Sequence, residues 1–145
     1  MQISRLALSA ATLGVSTNVV FAQPDTWALL NGIQIDEIVT ETTYEVRKTW
    51  PKGFADEAVE IEITGYAAPL TPEGEALREL ILVSDMGLCP FCGDPDHNAA
   101  LQVQLADALP FVTENQRITL RGTLSKVHDP ETWQAAILRD ARIVP

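Results

Sequence analysis

Val59-Glu60-Ile61-Glu62-Ile63-Thr64 alternates aliphatic with acidic or hydroxyl side chains without a break. Successive side chains of a strand point to opposite faces, so this period of two predicts a β-strand with one buried face and one wet, acidic face. The signature recurs downstream. Ile118, Leu120 and Leu124 alternate with Arg117, Thr119, Arg121 and Thr123, and Gly122 falls in phase on the apolar side, where a bend or bulge is expected. Leu80 to Val83 is an unbroken apolar run ended by Ser84-Asp85, the pattern of a strand covered on both faces. His128-Asp129-Pro130-Glu131 reads as a turn, and Gln134 to Val144 as a closing strand that pairs back as a hairpin. Towards the N-terminus, Trp27 to Ile38 and Tyr44 to Trp50 can each supply a further strand.

Residues 98 to 109 carry two conflicting signals. Asp94-Pro95 has the form of a helix start, and Asn98 to Leu109 is rich in helix formers. Leu101, Val103 and Leu105 nevertheless alternate with Gln102 and Gln104, a strand pattern. With either reading the chain is mainly β, with five or six short elements joined by turns. That texture predicts a small OB-like antiparallel barrel, with a sandwich as the alternative.

The first 22 residues read as a cleaved signal peptide. Arg5 supplies the charged start, Leu6 to Val20 is apolar or small, and Val20-Phe21-Ala22 offers a cleavage site before Gln23. The polar interruptions Ser9, Thr12, Ser16, Thr17 and Asn18 argue against a membrane anchor. The expectation is a periplasmic or secreted protein with one domain, residues 23 to 145, and no direct membrane insertion after signal removal. The 145-residue chain has 10 basic and 20 acidic residues and a formal charge of −10, which becomes −11 without Arg5. Nucleic-acid binders draw affinity from cations against phosphates, so this balance excludes nucleic acid as a partner. It equally opposes docking on an anionic membrane. No Gly-rich phosphate loop, Gly-x-Ser-x-Gly elbow or His-Glu-x-x-His helix is present.

Three stretches resemble the DUF3299 family of small exported bacterial proteins of unknown function. Gly65-Tyr66-Ala67-Ala68-Pro69-Leu70 is similar to its Gly-Tyr/Phe-x-x-Pro-Leu signature, and Leu80 to Val83 running into Cys89-Pro90-Phe91-Cys92 to the site of one branch. Gly122-x-Leu124, Asp129-Pro130 and Leu138-x-Asp140-Ala141 are similar to that branch's closing hairpin. The resemblance implies an OB-like barrel, favours a strand over residues 101 to 105, and implies no established activity. Another branch has Cys-x-His where this one has Cys-x-x-Cys, which implies a pair of soft ligands more than a disulfide. Members tend to accompany export or metal-uptake transporters, which implies a transporter component as partner. Gly93-Asp94-Pro95-Asp96-His97 departs from the family's more apolar stretch, so only the two cysteines transfer.

Cys89 and Cys92 are the only cysteines. Three fates compete for them. Two thiolates converging across a tight turn suit zinc, with His97 as third ligand and Asp94, Asp96, His128 or water as fourth. The chain is then a metal-binding accessory protein. In an oxidising compartment the same pair can close an inert disulfide, leaving a structural or interaction protein. Thiol-disulfide oxidoreductase chemistry needs a strand-helix context around the motif that is not visible in the sequence, so the reading leans away from an enzyme.

His128 depends on topology. A helix over 98 to 109 in ordinary OB order would put the strand ends before Cys89 and before His128 at opposite poles; a strand in a meander would bring them to one. The blander reading of His128 is a turn residue beside Asp129-Pro130. Trp27, Trp50 and Trp133 could stack on a ligand but fit core or core-edge positions. Arg117, Arg121, Lys126, Arg139 and Arg142 gather in the closing hairpin, where alternating polar faces account for them.

Overall fold

The computed structural model describes residues 24 to 72, 74 to 85 and 99 to 145. Residues 1 to 22, expected to be a signal peptide, and Cys89, Cys92, Asp94, Asp96 and His97 lie outside the described residues. The described residues form one helix and seven strands: α1 (Pro24–Asn31), β1 (Gln34–Val39), β2 (Tyr44–Thr49), β3 (Val59–Pro69), β4 (Leu77–Val83), β5 (Ala100–Leu109), β6 (Arg117–Lys126) and β7 (Ala136–Val144). Strands β3 to β7 close a barrel in the order β3-β4-β5-β7-β6, with β6 returning to β3. Counted within the barrel this is 1-2-3-5-4, the OB-like arrangement. Four ladders are antiparallel, and the β5–β7 ladder is parallel. The barrel is therefore mixed where an antiparallel one was expected, because the last strand enters between β5 and β6.

Alternation along the strands builds the core. Ile63, Leu80, Leu82, Leu101, Val103, Leu120 and Leu138 are fully buried, whereas Glu60 faces water. In β4, Leu80 and Leu82 point inward while Ile81 and Val83 are only half covered, so this strand is not sealed on both faces. Residues 100 to 109 are a strand: their helix propensity yields to pairing with β4 on one side and β7 on the other. Gly122 marks an irregularity in the β6–β7 register between Arg121 and Thr123, where sequence phase places it.

The N-terminal part differs from expectation. Residues 24 to 31 are helical, and only residues 34 to 39 of the expected first strand are extended. Pro24 opens the helix, where its missing N–H interrupts no helical bond. Trp27 donates its indole N–H to the Thr64 carbonyl at 2.9 Å, and Leu30 joins the core. The β1–β2 hairpin forms a separate two-stranded sheet. It is stapled to the β6–β7 connection: Val46 N donates to Pro130 O (2.7 Å), Lys48 Nζ to Val127 O (3.1 Å) and Asp129 O (2.7 Å), and Trp50 Nε1 to Ala135 O (2.9 Å).

Candidate functional site

β4 and β6 both run antiparallel to β3, so their ends, Val83 and Lys126, face the same pole of the barrel. β5 and β7 start at that pole. The strand reading of residues 100 to 109 thus holds within OB order and not within a meander, and Ser84 and Ala99, which flank residues 86 to 98, lie at the pole of His128. The base of that connection is a continued ladder: Val83 pairs with Ala100, and Ser84 N donates to Ala99 O at 3.3 Å. Among the described residues no three His, Cys, Asp or Glu side chains gather as a metal site.

His128 is exposed, in the turn that follows β6. Its ring centre lies 4.9 Å from that of Trp50, with planes tilted by 54°. Asp129 shapes the turn by accepting a hydrogen bond from Glu131 N at 2.9 Å. Beneath it, the mostly buried Lys126 ammonium sits 5.2 Å from the Trp50 ring centre and 5.8 Å from that of Phe54, and reaches Asp56 at 2.5 Å. The hydrogen bond from Lys126, aided by its charge, holds the Asp56 carboxyl below its usual range. Burial pushes Lys48 down from the ordinary lysine value. Two further hairpin cations are paired: Arg121 with Glu62 at 2.8 Å and Arg142 with Asp107.

A groove of about 410 Å³ opens beside this pole. One wall is the outer face of β4 and β5, where Ile81 and Gln102 are cross-strand partners. The opposite wall is Leu30, Asn31, Ile33 and Ile35, and residues 133 to 136 close the third side. Trp133, expected at the core edge, is 52% exposed. It donates its indole N–H to Tyr44 Oη at 2.9 Å, and a hydrogen bond to Glu37 holds the Tyr44 phenol above its usual value. Gln134 has its side-chain nitrogen buried with no hydrogen-bond partner. Leaving such a donor unmade costs about 1–3 kcal/mol. Local sequence gave no sign of this groove, because four separate segments meet to form it.

The fold and its clefts define a small closed OB-like β-barrel protein. No family model matches the sequence, and no curated protein matches it. Among solved structures the chain is similar to a DUF3299 family protein from Pseudomonas aeruginosa PAO1, with a TM-score of 0.47 and 17% identity over 66% of this chain and 68% of that one.

Proposed function

We propose that this chain is an exported metal-binding accessory protein whose Cys89, Cys92 and His97 hold zinc in support of a transporter. The observation that carries the reading is the Cys-x-x-Cys-x4-His spacing within an acidic stretch. The paired base Val83–Ala100 supports it, since a connection rooted in a barrel ladder can present ligands on a rigid frame. Asp94, Asp96 or the exposed His128 at the same pole completes the set.

Anaerobically purified full-length protein, measured by native mass spectrometry and metal analysis, is expected to carry one zinc per chain and to lose it in the Cys89→Ser, Cys92→Ser variant. Absence of stoichiometric metal, or its retention in the variant, overturns the reading. The oxidising destination favours a second one, an inert disulfide in an interaction protein. Thiol titration of native and denatured protein separates the two, because two free thiols after aerobic export exclude the disulfide. The oxidoreductase reading asks for a helix at the motif, and residues 100 to 109 do not supply it, being a strand.

A further inference from the structure

The β1–β2 hairpin is tied to the barrel along one side only. Thr40 N donates to Thr43 O at 2.9 Å, which sets the phase of the ladder. Asp36 and Ile38 therefore exchange their bonds with β2, and Ile35, Glu37 and Val39 turn their backbone N–H and C=O groups the other way. The same alternation puts Val46 on the outer side of β2, where its N–H goes to Pro130 O. The turn after β6 thus occupies the outer side of β2, whereas no other described strand pairs with β1 or runs beside it. Edges are commonly blunted by a bulge, a proline or a lysine. The β1 ladder has a continuous register, and Gln34–Val39 contains neither proline nor lysine. Its charge has one sign. Asp36 and Glu37 lie on the strand and Glu41 and Glu45 follow it, while Arg47 stands 3.9 Å from Glu45 and the Lys48 ammonium is held by the carbonyls of Val127 and Asp129.

We infer that β1 accepts an extended segment of a partner protein as a third strand, a segment with lysine or arginine at its centre and aliphatic residues on either side. The outward N–H and C=O groups of Ile35, Glu37 and Val39 supply the main-chain bonds of strand addition, and side chains on the two faces supply selectivity. On one face Glu37 is flanked by Ile35 and by Val39, which is 68% exposed; on the other, Asp36 is followed by Ile38. Directly opposed residues attract when oppositely charged and repel when alike. A cation opposite each carboxylate and an aliphatic side chain opposite Ile35, Ile38 and Val39 complete both faces. A second copy of this chain fits badly, because antiparallel pairing of two β1 edges over all three outer residues sets Glu37 against Glu37. The Val46, Lys48 and Trp50 bonds to the barrel hold the hairpin in place beforehand, so this side has little ordering left to lose on binding.

The test titrates the full chain, with a chelator present so that the outcome is independent of zinc. The probes are the capped peptide Thr-Val-Ile-Lys-Lys-Val-Thr and its counterpart with two glutamates in place of the lysines. Calorimetry gives affinity, and amide hydrogen exchange gives location. In the free chain Ile35, Glu37 and Val39 are expected to exchange freely. The lysine peptide should bind with a Kd below about 1 mM, and at ten times Kd it should slow those three amides about tenfold; the glutamate peptide should bind more weakly. Asp36→Lys and Glu37→Lys together should reverse that order, by about fivefold in favour of the glutamate peptide. Val39→Pro removes one outward N–H and no ladder bond, and should weaken the lysine peptide about fivefold. Ile143→Ala, an exposed position on β7, should bind as the parent does. Strand addition is overturned if the lysine peptide does not bind up to about 10 mM, binds without protecting the three amides, or binds the double lysine variant unchanged. It is equally overturned if the three amides are already protected in the free chain, which gives the edge to another part of the same molecule, or gain protection with protein concentration alone, which gives it to a second copy.

Discussion

Gly122 packs so closely against Arg139 across the β6–β7 ladder that an added Cβ would stand 2.7 Å from the Arg139 carbonyl oxygen. The Ala141 Cα would be 3.0 Å away. Both obstacles are backbone atoms, which cannot swing aside as a side-chain tip can. Gly122→Ala is therefore expected to destabilise the barrel by about 1–3 kcal/mol. Urea unfolding should show a lower midpoint with an unchanged slope. Gly65→Ala should act in the same direction, since its Cβ would meet Val83 O at 2.6 Å.

Asp56 and Lys126 give a pH-dependent readout. The folded carboxyl titrates below its unfolded value, so the pair stabilises the fold above the ordinary carboxylate pKa, and that contribution is lost as pH falls through the lowered folded value. The Asp56 carboxylate is almost fully exposed, so solvent screening keeps the effect on melting small. Carboxyl NMR is the sensitive measurement. Lys126→Met should return the Asp56 midpoint towards its usual value, and an unmoved midpoint would show that Lys126 does not set it.

Leu82 and Leu101 are cross-strand partners, both fully buried. Either residue changed to alanine should cost about 2–5 kcal/mol. Because the two cavities merge, the double variant should depart from the sum of the singles. Strict additivity in chemical denaturation would contradict the shared packing.

Lys48→Met removes both bonds that tie β2 to the carbonyls of Val127 and Asp129. Amide exchange should then accelerate in β1, β2 and residues 127 to 130, while Ile63, Leu120 and Leu138 keep their protection. Equal acceleration throughout would mean that the hairpin and barrel open as one unit.

If zinc binds as proposed, its addition should shift the amide resonances of Ser84 and Ala99, which close the base of the Cys-bearing connection. A shift at His128 would identify it as the fourth ligand. Ile63 and Leu138, inside the barrel, should not move.

The barrel was largely legible because its strands bury one face each, and a period of two survives in Val59-Ile61-Ile63 and Ile118-Leu120. The Gly122 irregularity could be read from phase alone. Residues 98 to 109 could not be settled locally, since their alternation competes with good helix formers and the neighbouring strands decide. The expected strand from Trp27 to Ile38 begins instead in a helix over residues 24 to 31, and Trp27 and Leu30, three apart and facing the barrel, are its signal. Trp133 misled in the other direction: its indole proton goes to Tyr44, 89 positions away, which holds the ring at the surface. Of the candidate metal ligands, His128 alone lies among the described residues, as a turn residue against Trp50 that shares the pole of the cysteine connection.

The place of β7 governs how the barrel comes together. Arriving last in sequence, it fills the gap between β5 and β6, pairing in parallel with one and antiparallel with the other. Until residues 136 to 144 dock, both neighbours present bare strand edges, and such edges invite pairing with other chains. Closure of the barrel thus waits on the strand that comes last in the fold. The corresponding vulnerability is that a protease cut near Ala136 would open two edges at once and convert a closed barrel into an aggregation-prone sheet.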